Sequence, residues 1–397
     1  MTLSEGANLP DASGLAKPIR VSLRGSSGPR PVWGPAESIV LGPGRAAAAR
    51  AELELWPGYA PTPLVSLPGL ADRLGVAEVR CKDESGRFGI GSFKALGGAH
   101  AVLRVLQDEL RGRTGTTPDP REMHTGRVSV ADITTTTASA GNHGRSVAWG
   151  SELFGCECVV VLPEGAVPAR AEAIESHGAR VEWFPGEYDA AVGYVEAQAR
   201  EQGWLVVSDT AYDGYETVPR WVYEGYTLLA HEALEQLAES SSGLPTHLFI
   251  QAGVGGLATG VCGHLWYELG PNRPSCVAVE PLSADCFGRS IRAGRVTTVE
   301  GPFGTHMGGL AAGVPSTLSW NLLGGCLDAG VAISDDASDA AAAALATGEL
   351  GETITAGPSG AAGVGALLAL ARLPSTRALL GLTAASRVLV LVTETKF

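Results

Sequence analysis

The stretch "KDESGRFGIGSFKALGG", residues 82–98, places a lysine where the chain could carry out amine chemistry. Lysine is scarce: Lys17, Lys82, Lys94 and Lys396 are the only four among 29 Lys and Arg residues. An arginine would hold a positive charge at position 94 equally well. A guanidinium, however, does not lose its proton and attack a carbonyl, whereas a lysine amine does both once it is buried. Lys94 stands between Phe93 and Ala95, just before Gly97-Gly98 and an apolar run. Residue type alone leaves two readings open, an amine nucleophile or a surface lysine lying along apolar neighbours. Lys82, in "RCKDES", is most simply an ion-pairing residue.

Two glycine-rich stretches each follow an apolar segment. In "TTASAGNHGRS", residues 136–146, Gly141 and Gly144 permit unusual backbone geometry and Asn142 offers an amide that donates and accepts. His143 there reads either as a base or as a hydrogen-bonded wall residue. In "FIQAGVGGLATG", residues 249–260, Gly253, Gly255 and Gly256 let backbone amides converge on an anion at a helix N-terminus. The spacing Gly253, Gly255, Ala258, with Glu280 closing the strand "CVAVE", also imitates a dinucleotide fingerprint. A smaller phosphorylated cofactor needs the same glycines but has no use for Glu280. The loop by itself does not choose. Cys156 and Cys158 form C-x-C without a second pair at metal-binding spacing, so they read as buried strand residues and no metal site is expected.

The elements that must position these groups alternate. "AEVRCKD", "VSVADITTTTAS", "CECVVVLP", "ARVEWFP", "WLVVSDT", "THLFIQAG", "CVAVEP" and "SRVLVLVTET" read as strands. "FKALGGAHAVLRVLQDEL", "GNHGRSVAWGSELF", "PARAEAIESHG" and the alanine-rich "DASDAAAAALAT" read as helices. Repeated strand–helix units imply parallel sheets covered on both faces, and there are too many strands for one sheet of usual size. The expected architecture is α/β, with two domains and a cleft between them. Residues 1–45 read as an irregular extension, 46–95 with 215–397 as the larger domain, and 96–214 as the smaller one. The net charge of −13 disfavours nucleic acid, since no basic surface is concentrated enough to release counterions. No apolar run approaches the roughly 20 residues of a membrane span. The first residues carry no secretory pattern, and seven scattered cysteines fit a reducing cytoplasm.

Four motifs, "SFKALGG", "SAGNHGRSVA", "QAGVGGLATG" and the late "VTET", occur in the order used by the fold-type-II pyridoxal-phosphate enzymes. More closely, "KDESGRFGIGSFKALGGAHA", "DTAYDGYETVPRWVYEGYTLLAHEALEQL", "VEPLSADCFGRSI" and "GGLAAGVPSTLSWNLL" resemble the diaminopropionate ammonia-lyase family. The resemblance runs from about residue 30 onward. It implies pyridoxal phosphate as cofactor, a small amino acid as substrate and a homodimeric enzyme. It implies that Lys94 forms the Schiff base and then serves as base at Cα. Phe93 would lie beside the ring, Asn142 on its hydroxyl, and Thr393 on the pyridine nitrogen. The amides of Gly253, Val254, Gly255, Gly256 and Leu257 would hold the phosphate. Thr137, Ser139 and Ala140 would line the substrate site, and Asp209 would meet a substrate amine. The implied reaction is α,β-elimination from a β-substituted L-amino acid to a 2-oxo acid and ammonia.

This sequence departs from the family pattern at three acids. Ala140 stands where an aspartate, the proposed base for D-isomers, is expected, and Val314 and Pro358 stand where glutamates are expected. The tail after "VTET" is also shorter than expected. "SAGNHG" resembles the threonine and serine dehydratase version, in which lysine alone serves L-substrates. A less polar pocket argues for an altered substrate, 2,3-diaminopropionate-like or serine/threonine-like. β-Replacement is the alternative outcome; a nicotinamide-dependent oxidoreductase or a non-catalytic homologue are remote ones.

Overall fold

A computed structural model describes residues 19–25, 30–186, 188–240 and 242–396. Lys17 and most of the expected extension before residue 19 lie outside them. The chain forms two compact units, one of 1–43, 61–92 and 229–397, the other of 44–60 and 93–228.

The first unit holds a seven-stranded sheet. Its strands are β1 (Arg20–Leu23), β2 (Leu64–Ser66), β3 (Glu78–Asp83), β8 (His247–Gln251), β9 (Ser275–Pro281), β10 (Leu327–Ile333) and β11 (Arg387–Val392), in the order β1-β10-β9-β8-β11-β3-β2. The five central strands run parallel, and the two edge strands are antiparallel. β8 and β11 lie at the centre and are almost wholly buried, so their sequences are continuous apolar runs rather than alternations. The helix Pro358–Ala371 packs onto this sheet through its small residues. A Cβ at Gly363 would stand 2.7 Å from Val390 Cγ2, and one at Gly365 2.8 Å from the Ala337 carbonyl. The first contact sets the helix against β11 and the second against the helix Asp335–Ala346.

The second unit holds a four-stranded parallel sheet of β4 (Thr134–Ala138), β5 (Glu157–Pro163), β6 (Arg180–Phe184) and β7 (Leu205–Val206), in the order β6-β5-β4-β7. The helices Lys94–Thr114 and Asn142–Phe154 pack closely in it. A Cβ at Gly150 would stand 2.7 Å from Ala99 Cα, and the Ser146 hydroxyl donates to the Lys94 carbonyl at 2.6 Å.

Several elements differ from expectation. The segment read as irregular contains β1, which adds an edge to β10, and the helices Pro35–Val40 and Pro43–Leu53. Residues 44–60 and the start of the helix Thr217–Glu239 belong to the second unit, held there by Arg45 on Glu224 at 2.6 Å and Arg104 on Glu52. β7 is only two residues long because side chains take its next ladder positions. Tyr215 Oη donates to the Val206 carbonyl and accepts from the Ser208 amide, and His143 takes the Val207 carbonyl. β10 was hidden by Asp328, whose carboxylate accepts from the Cys276 amide and from Arg273 where the register shifts.

Candidate active site

In the second unit the chemistry gathers at the C-terminal ends of β4 and β7, where neighbouring parallel strands open a crevice. β4 leads through Ser139, Ala140 and Gly141 into the helix that Asn142 begins. Thr137 is buried in the strand, while Ser139 accepts a hydrogen bond from the Gly141 amide at 3.3 Å. β7 leads to Asp209. Lys94 begins its own helix, directly after Phe93, and its Nζ donates to Asp209 Oδ2.

The electrostatics of this pair are decisive. Burial pulls the Lys94 amine down, but the charge and hydrogen bond of Asp209, together with Tyr226, outweigh it and hold the amine above its ordinary value. Burial pushes the Asp209 carboxyl up, yet the charge and hydrogen bond of the Lys94 ammonium hold it below the usual carboxylate range. His143 donates Nε2–H to the Val207 carbonyl at 2.9 Å, which leaves Nδ1 as a lone pair 3.8 Å from Asp209. Burial lowers its pKa, so His143 is a neutral wall residue. Tyr226 was not anticipated. Its ring packs on Phe93 at 4.9 Å, and its buried hydroxyl makes no hydrogen bond of standard geometry while still acting electrostatically on Lys94. No local signal in the sequence marks Tyr226 or Ser146, because only the fold brings them to Lys94.

In the first unit, β8 leads through Gly253–Gly255 into the helix Gly256–Leu269. Gly255 has φ +104°, and a Cβ there would stand 2.5 Å from Phe287 Cζ; at Gly253 it would stand 2.8 Å from the Gly309 carbonyl. The amides of Gly253, Val254, Gly255, Gly256 and Leu257 have no acceptor among the described residues. Convergent unsatisfied amides at a helix N-terminus, in a space glycine keeps open, fit a phosphate group. Thr393 follows β11, the strand beside β8, and is buried.

Glu280 answers the dinucleotide reading. Both its oxygens accept backbone amides, Phe287 at 2.7 Å and Gly288 at 2.8 Å, so it caps the helix Cys286–Ala293 and has no oxygen to offer a ribose. Burial pushes its carboxyl up to about 8. Lys82 is fully buried, paired with Glu232 at 2.7 Å beside Arg87 and Glu84. Pro358 opens its helix at a position suited to proline, and Val314 is partly exposed.

Parallel sheets, an ion-paired lysine at a helix start and a glycine phosphate cradle define a fold-type-II cofactor enzyme. The chain belongs to the pyridoxal-phosphate dependent enzyme family, whose pattern matches residues 55–394. Within it, the chain is 42% identical over 276 residues to the diaminopropionate ammonia-lyase of Salmonella typhimurium, covering 67% of each. It is 38% identical over 346 residues to that of Escherichia coli, covering 85% of each. A crystal structure of the E. coli enzyme in complex with an aminoacrylate-PLP azomethine reaction intermediate superposes with TM-score 0.84, at 34% identity over 96% of this chain and 94% of that one. The cofactor is pyridoxal phosphate, and the chemistry is α,β-elimination with release of ammonia.

Proposed function

We propose that the enzyme eliminates ammonia or a related β-substituent from an L-amino acid of the 2,3-diaminopropionate or serine/threonine type, giving a 2-oxo acid. The observation that carries this reading is the pairing at Lys94. The one carboxylate beside it, Asp209, is held strongly ionised and is a weak base, His143 is committed to a carbonyl, and position 140 offers only a methyl group. By elimination Lys94 Nζ, in its neutral form, is the group left to take the Cα proton from one face of the substrate; in the cofactor-free chain Asp209 holds it as the ammonium, which has no lone pair.

The cofactor, when bound, supplies the electron sink that stabilises negative charge at Cα. The chain supplies orientation. Lys94 Nζ would be the amine to which the cofactor attaches, and Phe93 would pack beside the ring. Asn142 would hydrogen-bond the ring hydroxyl, the 253–257 amides would hold the phosphate, and Thr393 would hydrogen-bond the pyridine nitrogen. Thr137 and Ser139 receive the substrate carboxylate, and Asp209 accepts a hydrogen bond from a cationic substrate amine. The enzyme works as a homodimer in a reducing cytoplasm. All seven cysteines are free thiols, and no helix among the described residues is long and apolar enough to cross a membrane.

Ammonia release from L- and D-2,3-diaminopropionate and from L- and D-serine tests the reading. Turnover is expected with the L-isomers only, and an Ala140→Asp variant is expected to gain D-activity. Comparable wild-type rates on both isomers would show that a second base operates.

A further inference from the structure

Cys262, on the helix Gly256–Leu269, Cys276, on β9, and Cys326, closing the helix Thr317–Cys326, come from distant parts of the sequence to one place. Their sulfur atoms lie within 4.8 Å of one another, and all three residues are fully buried. Nothing in the elimination reaction uses them. Their other contacts are weak: Cys326 Sγ lies 3.8 Å from the Cys262 carbonyl and Cys276 Sγ 3.6 Å from the Pro274 carbonyl. Arg273, itself buried and paired with Asp328 at 2.9 Å, places Nη1 3.9 Å from Cys276 Sγ.

We propose that these three cysteines form a three-coordinate site for a soft monovalent cation, Cu(I). The donor set makes the choice. All three ligands are sulfur, which selects Cu(I), zinc or iron–sulfur chemistry over hard cations. Zinc takes four ligands, and no fourth His, Cys, Asp or Glu joins the group among the described residues. Metal–sulfur bonds of about 2.3 Å in a trigonal plane put the sulfurs about 4 Å apart, so closure needs a shift of under about 1 Å. Each ligating thiol gives up its proton, so binding releases three protons. Because the thiols are buried, the ion enters by local opening and uptake is slow.

The test uses the cofactor-loaded enzyme with Cys156→Ser, which removes the most accessible thiol. It is titrated anaerobically with Cu(I) against a competing chelator while thiolate-to-copper ultraviolet absorption is followed. One ion per chain is expected, with three sulfur neighbours by X-ray absorption. Cys262→Ala, Cys276→Ala and Cys326→Ala should each weaken retention by about tenfold or more, with Cys158→Ala without effect. If an alanine variant misfolds, the sulfur count in the parent protein still decides. No retention against the chelator, fewer than three sulfurs, or retention indifferent to the three substitutions would overturn the proposal.

Discussion

At the scale of single residues, the pairing of Lys94 with Asp209 governs both reactivity and stability. A lysine whose folded pKa is raised stabilises the fold below its ordinary 10.5 and loses that contribution as pH rises through the higher value. An aspartate whose folded pKa is depressed stabilises above its ordinary 3.8 and loses its contribution as pH falls through the lower value. The pair therefore supports the cofactor-free protein between about pH 4 and about pH 10. Asp209→Asn should lower the urea midpoint inside that window and flatten its decline at acid pH. A variant that tracks wild type at every pH would show that the pair contributes nothing. Lys94 stood out in the sequence as one of four lysines, yet its residue type left it open between nucleophile and surface lysine, and only the family resemblance chose. The Ser146 hydroxyl that holds its carbonyl lies 52 residues away, and no spacing rule links the two.

At the scale of elements, two contacts position the chemistry, and both depend on glycine. The first joins the helices Lys94–Thr114 and Asn142–Phe154 at Gly150. Gly150→Ala would push a methyl against the Ala99 backbone, which cannot rotate away, so a destabilisation of about 1–3 kcal/mol is expected. Thermal unfolding would register it, alongside reduced ammonia release as Lys94 shifts. The second contact is the cradle. Gly255→Ala combines a left-handed φ with a collision at Phe287, and strain of about 1–3 kcal/mol should appear as weaker cofactor retention in equilibrium dialysis. Unchanged retention would remove the loop from the phosphate site. The main strands and helices were legible because their periodicity and glycine punctuation are local. β10 and the edge strand β1 were not, and β7, read as a strand, is shorter than its apolar run. Their limits are set by Asp328, by Tyr215 with His143 and by pairing to β10, all long-range partners.

At the scale of the whole molecule, cofactor and fold are thermodynamically linked. A ligand that binds only the folded chain, present at a hundredfold its dissociation constant, adds about 2.7 kcal/mol of stability. Melting temperature should therefore climb with pyridoxal phosphate concentration in wild type. In Lys94→Ala the climb should be smaller, because the 253–257 amides remain while the covalent anchor is lost, and the visible imine absorption should vanish. An equal climb in both would show that Lys94 is not the anchor. The three-thiol cluster was invisible in the sequence for the reason that Tyr226 was: its members meet only through tertiary packing. The glycine at the helix contact carries one more consequence, for inheritance. Positions 98 and 150 admit no Cβ without disturbing the lysine helix, whereas Ala140 lies in a half-buried turn outside both helices. Varying position 140 would test whether this turn bears on which amino acid is consumed while the elimination machinery is held constant. Libraries built to redirect this enzyme should vary the 139–140 turn and leave the glycine seam untouched.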